Sequence, residues 1–173
     1  QRPLDRFVLD GIEGAGLTPT TPATGAALRQ RLCYDLVGLP PNAMNFPQTT
    51  DVPTPENLET WVNFLLSSPR FGEHWARLWL DLARYAEDQA HIVGNDQSLC
   101  FPNSHLYRAW VIEALNSDMP YDRFIALQLA ADMLTPDDRS DDVALGFVGL
   151  GPKYYRRNSP EVQAEEWEDR VAI

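Results

Sequence analysis

The chain has 173 residues and a mass of 19.5 kDa, with 44% hydrophobic and 23% charged residues. That is one domain's worth of polypeptide with enough apolar content for a core, which excludes a disordered tail, a collagen-like fibre and a disulfide-stapled miniprotein. A formal net charge of −11, from 25 acidic and 14 basic residues, repels phosphate backbones and anionic lipid and argues against nucleic acid or a membrane surface as partner, and no apolar run has the length of a membrane span.

Ser or Thr followed by Pro punctuates the chain at Thr21-Pro22, Thr54-Pro55, Ser68-Pro69 and Ser159-Pro160. A hydroxyl at the N-cap accepts a hydrogen bond from an otherwise unpaired helical N–H, and Pro at the first helical position has no N–H to leave unpaired. Each pair predicts a helix start. Together they predict an all-α fold, an irregular bundle of about seven helices in a single domain spanning 1–173.

The first helix is expected near Leu4 to Ala15, where Leu4, Phe7, Val8 and Ile12 recur at spacings of three and four before Gly14 and Gly16. The second runs from about Pro22 to Gly38, with Leu28, Leu32 and Leu36 on one stripe and Pro40-Pro41 beyond it. Residues 42–53 read as loop. The third covers Pro55 to Ser67 and points Leu58, Val62 and Leu65 inward beside Trp61. The fourth, about Pro69 to Asp88, is the best patterned: Phe71, Trp75, Leu78, Trp79, Leu82 and Ala86 make a wide apolar stripe, with Glu73, Arg77, Asp81, Arg84 and Asp88 on a polar one. A long loop, 89–103, separates it from a fifth helix at about Ser104 to Asn116 and a sixth from Tyr121 to Leu134. The polar turn TPDDRSDD precedes VALGFVGLGP, whose glycines fit a short helix and a strand equally. The last helix starts at Ser159-Pro160 and is still running at EDRVAI. With Gln1 rather than Met at the start, this predicts a piece of a longer protein.

Cys33 and Cys100 form no Cys-x-x-Cys pair, so the sequence encodes neither a zinc knuckle nor a covalent haem site, and Cys33 is expected to be a small buried hydrophobe on the second helix. Functional groups are expected where rigid helices position a loop. RYAEDQAH, residues 84–91, opens the long loop. Glu87 and His91 stand four apart, and a carboxylate beside a neutral imidazole orients it for proton transfer or metal binding. The plain alternative, a solvated polar helix end, is favoured by periodicity alone. In EVQAEEWEDR, residues 161–170, Glu161, Glu165 and Asp169 share a stripe and Glu166 faces Arg170. Such a stripe suits a cation with oxygen ligands, although a charge run is more often a solvated face. His74 lies at the edge of the fourth helix's apolar stripe and His105 opens the fifth helix. No H-E-x-x-H, G-x-S-x-G, phosphate loop or dinucleotide fingerprint is present.

Five blocks, LDRFVLDGIEGAGLTPT, RLCYDLVGLPP, FGEHWARLWLDLARYAEDQAH, YRAWVIEALNSDMPYDRFIALQLAADML and EEWEDRV, resemble in order and spacing the DUF1549 domain, also called PSCyt2, the planctomycete-type cytochrome-associated domain. Many members of that family carry aspartate where Glu87 stands. The resemblance implies an exported protein of Planctomycetes or related bacteria, periplasmic or on the cell surface. It implies a Cys-x-x-Cys-His haem-attachment motif and a DUF1553-like domain beyond the segment matching EDRV, and often a separate cytochrome c domain. Haem c is therefore expected outside this chain, with no cofactor and no metal held within it. The family supplies no catalytic residue.

Joined, these readings predict a helical domain supporting haem redox or electron-transfer chemistry, linked at the family level to polysaccharide use. Glu87 and His91 are the candidate catalytic residues, and His91 and His74 the candidate haem-proximal ones. Asp81, Arg84, Tyr85, Asp88, Gln89, Glu165, Glu166, Asp169 and Arg170 are the expected pocket wall, which requires the His91 loop and the last helix to be neighbours. Two alternatives stand beside it: a non-catalytic module binding a glycan or partner domain through Trp61 or Trp167, and a hydrolase using Glu87 and Glu166 as acid and base.

Overall fold

Three of the four Ser/Thr-Pro pairs open helices in the computed structural model, which describes residues 3–46, 54–87, 101–137, 139–151 and 159–171. The regular structure among those residues is helical, with no strand, as the capping pattern predicts. In chain order they form α1 (Pro3–Gly14), α2 (Gly25–Val37), a 3-10 turn (Pro41–Ala43), α3 (Pro55–Leu66), α4 (Pro69–Leu82), α5 (Ser104–Asn116) and α6 (Tyr121–Leu134). A 3-10 segment (Arg139–Leu145) then runs into the short α7 (Gly146–Gly149), and α8 spans Pro160–Val171. Within the glycine-rich VALGFVGLGP, residues 143–149 are thus helical rather than strand.

Thr54 and Ser68 accept hydrogen bonds of 3.3 Å from Asn57 N–H and Arg70 N–H, each with Pro at the first helical position. The expected start at Pro22 is displaced. Helix α2 begins at Gly25, capped by Thr24 through a 3.3 Å bond from Ala27 N–H. Gly25 is buried while residues 20–22 stay exposed, so tertiary contact selects the later hydroxyl.

The larger correction is at the end of α4, which stops at Leu82 and not at Asp88. Arg84 adopts a left-handed φ of 50°. Its N–H bonds the Asp81 carbonyl at 3.2 Å and Tyr85 N–H reaches back to Leu80 at 3.0 Å, the paired bonds of a Schellman stop. Asp118, with φ 53°, ends α5 the same way: Met119 N–H bonds the Ala114 carbonyl at 3.0 Å. Neither stop carries the glycine that marks one in a sequence.

The core has two centres. Cys33 and Val37 of α2 pack with Phe46 and with Trp61 and Leu65 of α3. Ala76, Tyr107, Val111, Ala114 and Phe124 join α4, α5 and α6, and Leu127, Ala131 and Ala144 bind α6 to the 3-10 segment. Cys33 is fully buried, as expected, and burial pushes its thiol pKa up. Two predicted inward stripes are rotated. In α3 the buried residues are Trp61 and Leu65, while Leu58 is exposed. In α4 they are Gly72 and Ala76, followed by Ala83, while Trp75, Leu78 and Leu82 are exposed.

The reason for the α4 rotation is a close antiparallel crossing with α5. A Cβ on Gly72 would lie 2.5 Å from the Ile112 carbonyl oxygen, so only glycine fits there. Asn116 closes the seam, accepting from Gly72 N–H at 2.8 Å and donating to the Pro69 carbonyl at 3.2 Å. At the other extreme, α1 buries no residue, and Leu4 and Phe7 are exposed.

Two stability changes of opposite sign follow. Gly72→Ala overpacks a backbone contact and costs about 2 kcal/mol in chemical denaturation. Asp118→Gly relieves the left-handed strain and adds about 0.5–1 kcal/mol, seen as a melting temperature raised by a few degrees.

Candidate functional site

The Schellman stop at Arg84 turns the chain out of α4 so that Tyr85, Ala86 and Glu87 run along the start of α5. Ala86 N–H donates to the Leu150 carbonyl at 2.8 Å, and Phe101 N–H donates to the Glu87 carbonyl at 2.9 Å. The second bond ties together the described residues on either side of segment 88–100, where the expected loop lies outside the described residues.

The Glu87 carboxylate forms an ion pair with Arg108 of α5 and accepts from the Tyr85 hydroxyl at 3.3 Å. The Glu87 and Arg108 side chains are 57% and 46% exposed, so solvent screens the pair, and its worth is in the range of about 0.2–1 kcal/mol. It orients the loop base more than it stabilises the fold. Burial raises the Tyr85 hydroxyl pKa, opposed by a hydrogen bond from Ser104.

Beneath this rim lies a closed polar network. Trp79 Nε1 donates to Gln128 Oε1 at 2.9 Å and to the Tyr107 hydroxyl at 3.2 Å. The Tyr107 hydroxyl donates to the same Gln128 oxygen at 2.7 Å, and Gln128 Nε2 donates to the Phe124 carbonyl at 3.0 Å. Tyr107 and Gln128 are each 1% exposed, so these bonds act in a low dielectric and every polar group in the network has a partner. Burial pushes the Tyr107 pKa up to about 12. The rings of Tyr85, Tyr107, Trp110, Phe124 and Trp79 follow one another at centroid separations of 6.0, 6.4, 5.4 and 4.9 Å.

A cleft of about 460 Å³ opens over Tyr107, between the loop base and α7. Phe101, Leu106, Val143 and Leu150 supply its apolar lining, Asn103 and Ser104 supply polar groups, and Asp142 is the only charged side chain among the lining residues. Gly146 makes the floor: a Cβ there would lie 2.7 Å from Tyr107 Cβ, so α7 can approach α5 only with glycine at this position.

Among the residues singled out in the sequence, Tyr85 and Glu87 meet at the rim of this cleft and Arg84 is the helix stop beside them. Asp81 is exposed on α4. His74 is half-buried on the α2 side of α4, its imidazole against Gly38 and edge-on to Trp75 at 5.8 Å. Glu165 is exposed and Glu166 half-buried on α8, a helix that forms no extended packing seam with another described element. Asp88, Gln89 and His91 lie outside the described residues, as do the side chains of Asp169 and Arg170. Trp61, a candidate for an exposed binding aromatic, is fully buried, whereas Trp167 is 63% exposed. Arg108 and Asp142 were not foreseen. Arg108 is 21 residues from Glu87 in sequence, and Asp142 sits in a segment that reads as a polar turn.

The buried network generates an alkaline signature. The unfolded chain's tyrosine ionises near its ordinary value of 10, whereas Tyr107 in the fold keeps its proton to about 12. Stability is therefore fully present below pH 10 and falls as pH rises from there to about 12. Tyr107→Phe removes the hydroxyl, costs about 1 kcal/mol at neutral pH, and flattens this alkaline decline in denaturation curves recorded across that window.

The chain belongs to the PSCyt2 family, described as protein of unknown function (DUF1549), whose family model matches residues 3–173. No curated protein and no solved structure matches it. Among the described residues no His, Cys or Met lines the cleft, the Tyr107 hydroxyl is engaged by Trp79 and Gln128, and no three His, Cys, Asp or Glu side chains gather to hold a metal.

Proposed function

We propose that this DUF1549-family domain is the helical part of an exported multidomain c-type-cytochrome-like protein, and that it supports electron transfer as an acidic docking platform for a haem-bearing module. Its partners in this reading are the haem-bearing segment and DUF1553-like domain of its own polypeptide, and a cytochrome c.

The observation that carries the proposal is the exposed stripe on α4. Trp75, Leu78 and Leu82, at spacings of three and four, are 39%, 43% and 69% exposed on the helix with the strongest amphipathic pattern. The crossing with α5 uses the small-residue face of α4 and leaves this large apolar face outward. Glu73, Arg77 and Asp81 lie exposed on the same helix. A contiguous exposed apolar stripe on one helix face is the kind of surface that marks a protein interface. The net charge of −11 selects a cationic partner and steers its approach. Export rests on the cytochrome context, because covalent haem attachment belongs to extracytoplasmic compartments. No described helix is long and apolar enough to cross a membrane.

Glu87 has a supporting part in this reading. Its carboxylate is engaged by Arg108 and Tyr85, which suits anchoring the loop base better than proton transfer.

Titration of the domain with a cationic c-type cytochrome, followed by calorimetry or by shifts of the cytochrome's NMR resonances, tests the proposal. Binding is expected at low ionic strength and to weaken steadily as salt rises. The double variant Leu78→Ala/Leu82→Ala is expected to weaken it roughly tenfold while leaving helicity intact. No association at low salt, or association indifferent to both changes, overturns the reading.

A further inference from the structure

Arg70, Arg108, Arg123 and Arg139 each pair with a carboxylate, from Glu73, Glu87, Asp141 and Asp142 in turn. Arg29 of α2 is held differently. Its guanidinium carbon lies 5.6 Å from the centre of the Trp61 ring, and the side chain makes no hydrogen bond or ion pair to another described residue. Trp61 is fully buried and Arg29 half-buried. An aromatic face fixes a guanidinium without using its N–H groups, so the donors of Arg29 remain available to an acceptor brought from outside.

Those donors border a pocket of about 310 Å³ between α2 and the 3-10 turn, lined by Ala26, Arg29, Gln30, Pro41, Asn42 and Phe46. Its volume lies at the small end of the range for small-molecule sites. Phe46 packs edge-on against Trp61 at 5.6 Å, so the guanidinium and the apolar floor of the pocket rest on the same buried ring. Arg29 is the one charged side chain among the lining residues, and Gln30 and Asn42 add side-chain amide donors. The first turn of α2, to which Ala26 belongs, holds no acidic residue, so the positive end of the helix dipole adds to the same sign. A chain of net charge −11 thus has a locally positive pocket here.

We propose that this pocket binds a small organic monocarboxylate, its oxygens accepting hydrogen bonds from the Arg29 guanidinium and its compact apolar body lying against Pro41 and Phe46. The planar guanidinium matches a carboxylate in shape as well as in charge. Inorganic phosphate fits less well: its second charge exceeds what one arginine compensates, the overall negative field opposes it, and it gains nothing from the apolar floor. The pocket shares no residue with the α4 stripe, so either proposal can fail while the other stands.

Phenylacetate, the isosteric neutral phenylacetamide and inorganic phosphate, titrated into the 173-residue chain by calorimetry or ligand-observed NMR, test it. Phenylacetate is expected to bind at least about tenfold tighter than the amide and tighter than phosphate. Arg29→Met keeps an aliphatic cover over Trp61 and is expected to bring phenylacetate down to the affinity of the amide. Arg29→Lys keeps the charge but not the fork and is expected to retain only part of the preference. Arg31→Met, which removes an exposed arginine of the same helix outside the pocket, is expected to leave it unchanged. A carboxylate preference below tenfold in the unaltered protein overturns the proposal, as does no phenylacetate binding, phosphate binding as tightly, or an Arg29→Met protein that keeps the preference. The ligand comparison needs no variant, so a folding defect in Arg29→Met does not blunt it.

Discussion

The α4–α5 crossing at Gly72 is the constraint on which the rest of the molecule depends. At the start of α4, Phe71 N–H takes the Ser68 carbonyl at 3.0 Å, and Gly72 N–H goes to Asn116 near the end of α5. A backbone donor in one helix is thereby satisfied by a side chain from another, and the missing Cβ lets the two axes approach to backbone contact. Because the helices run antiparallel, this contact also places the far end of α4 beside the start of α5. Trp79 then reaches Tyr107 and Gln128, and Tyr85 and Glu87 come to rest on Ser104 and Arg108. The rim of the cleft is in this sense set by a contact at the opposite end of the helix pair.

The same crossing explains where sequence reasoning worked and where it did not. Local signals were legible. The hydroxyl caps at Thr54 and Ser68 act within one helical turn, and their prediction needs nothing from the rest of the chain. The wide apolar stripe of α4 was legible as amphipathic, but not which edge of it turns inward. Hydrophobicity favours burying Trp75, Leu78 and Leu82. Close approach favours Gly72, Ala76 and Ala83, and van der Waals contact across the tight seam with α5 outweighs the larger side chains left outside. The Schellman stop at Arg84 was illegible for a related reason. A left-handed residue usually announces itself as glycine, and arginine tolerates the geometry only where surrounding structure over-determines it, here through the bond from Ala86 to Leu150.

The candidate site was half legible. Glu87 and Tyr85 stand in the cluster that the sequence marks as functional, and the residues flanking 88–100 are tied by a backbone bond, as befits a long connection held by helices. Their partners were out of reach of pattern reasoning. Arg108 lies on α5 among residues that read as an ordinary helix, and Asp142 lies in a run of aspartates that reads as a polar turn. Only the return of the 3-10 segment and α7 over Tyr107, possible because residue 146 is glycine, encloses one of those carboxylates. Burial changes the meaning of a residue whose type and neighbours in sequence do not change.

Two surfaces of one helix pair therefore carry different chemistry. On the outer side of α4 the apolar stripe is exposed to solvent, where association is governed by contact area and by the field of the chain's net charge, which salt weakens. On the inner side, over α5 and α7, a largely apolar cleft with Asp142 among its lining residues lies beside the Trp79–Tyr107–Gln128 network. Every polar group of that network already has a partner within the fold, so it serves to rigidify this end of the molecule.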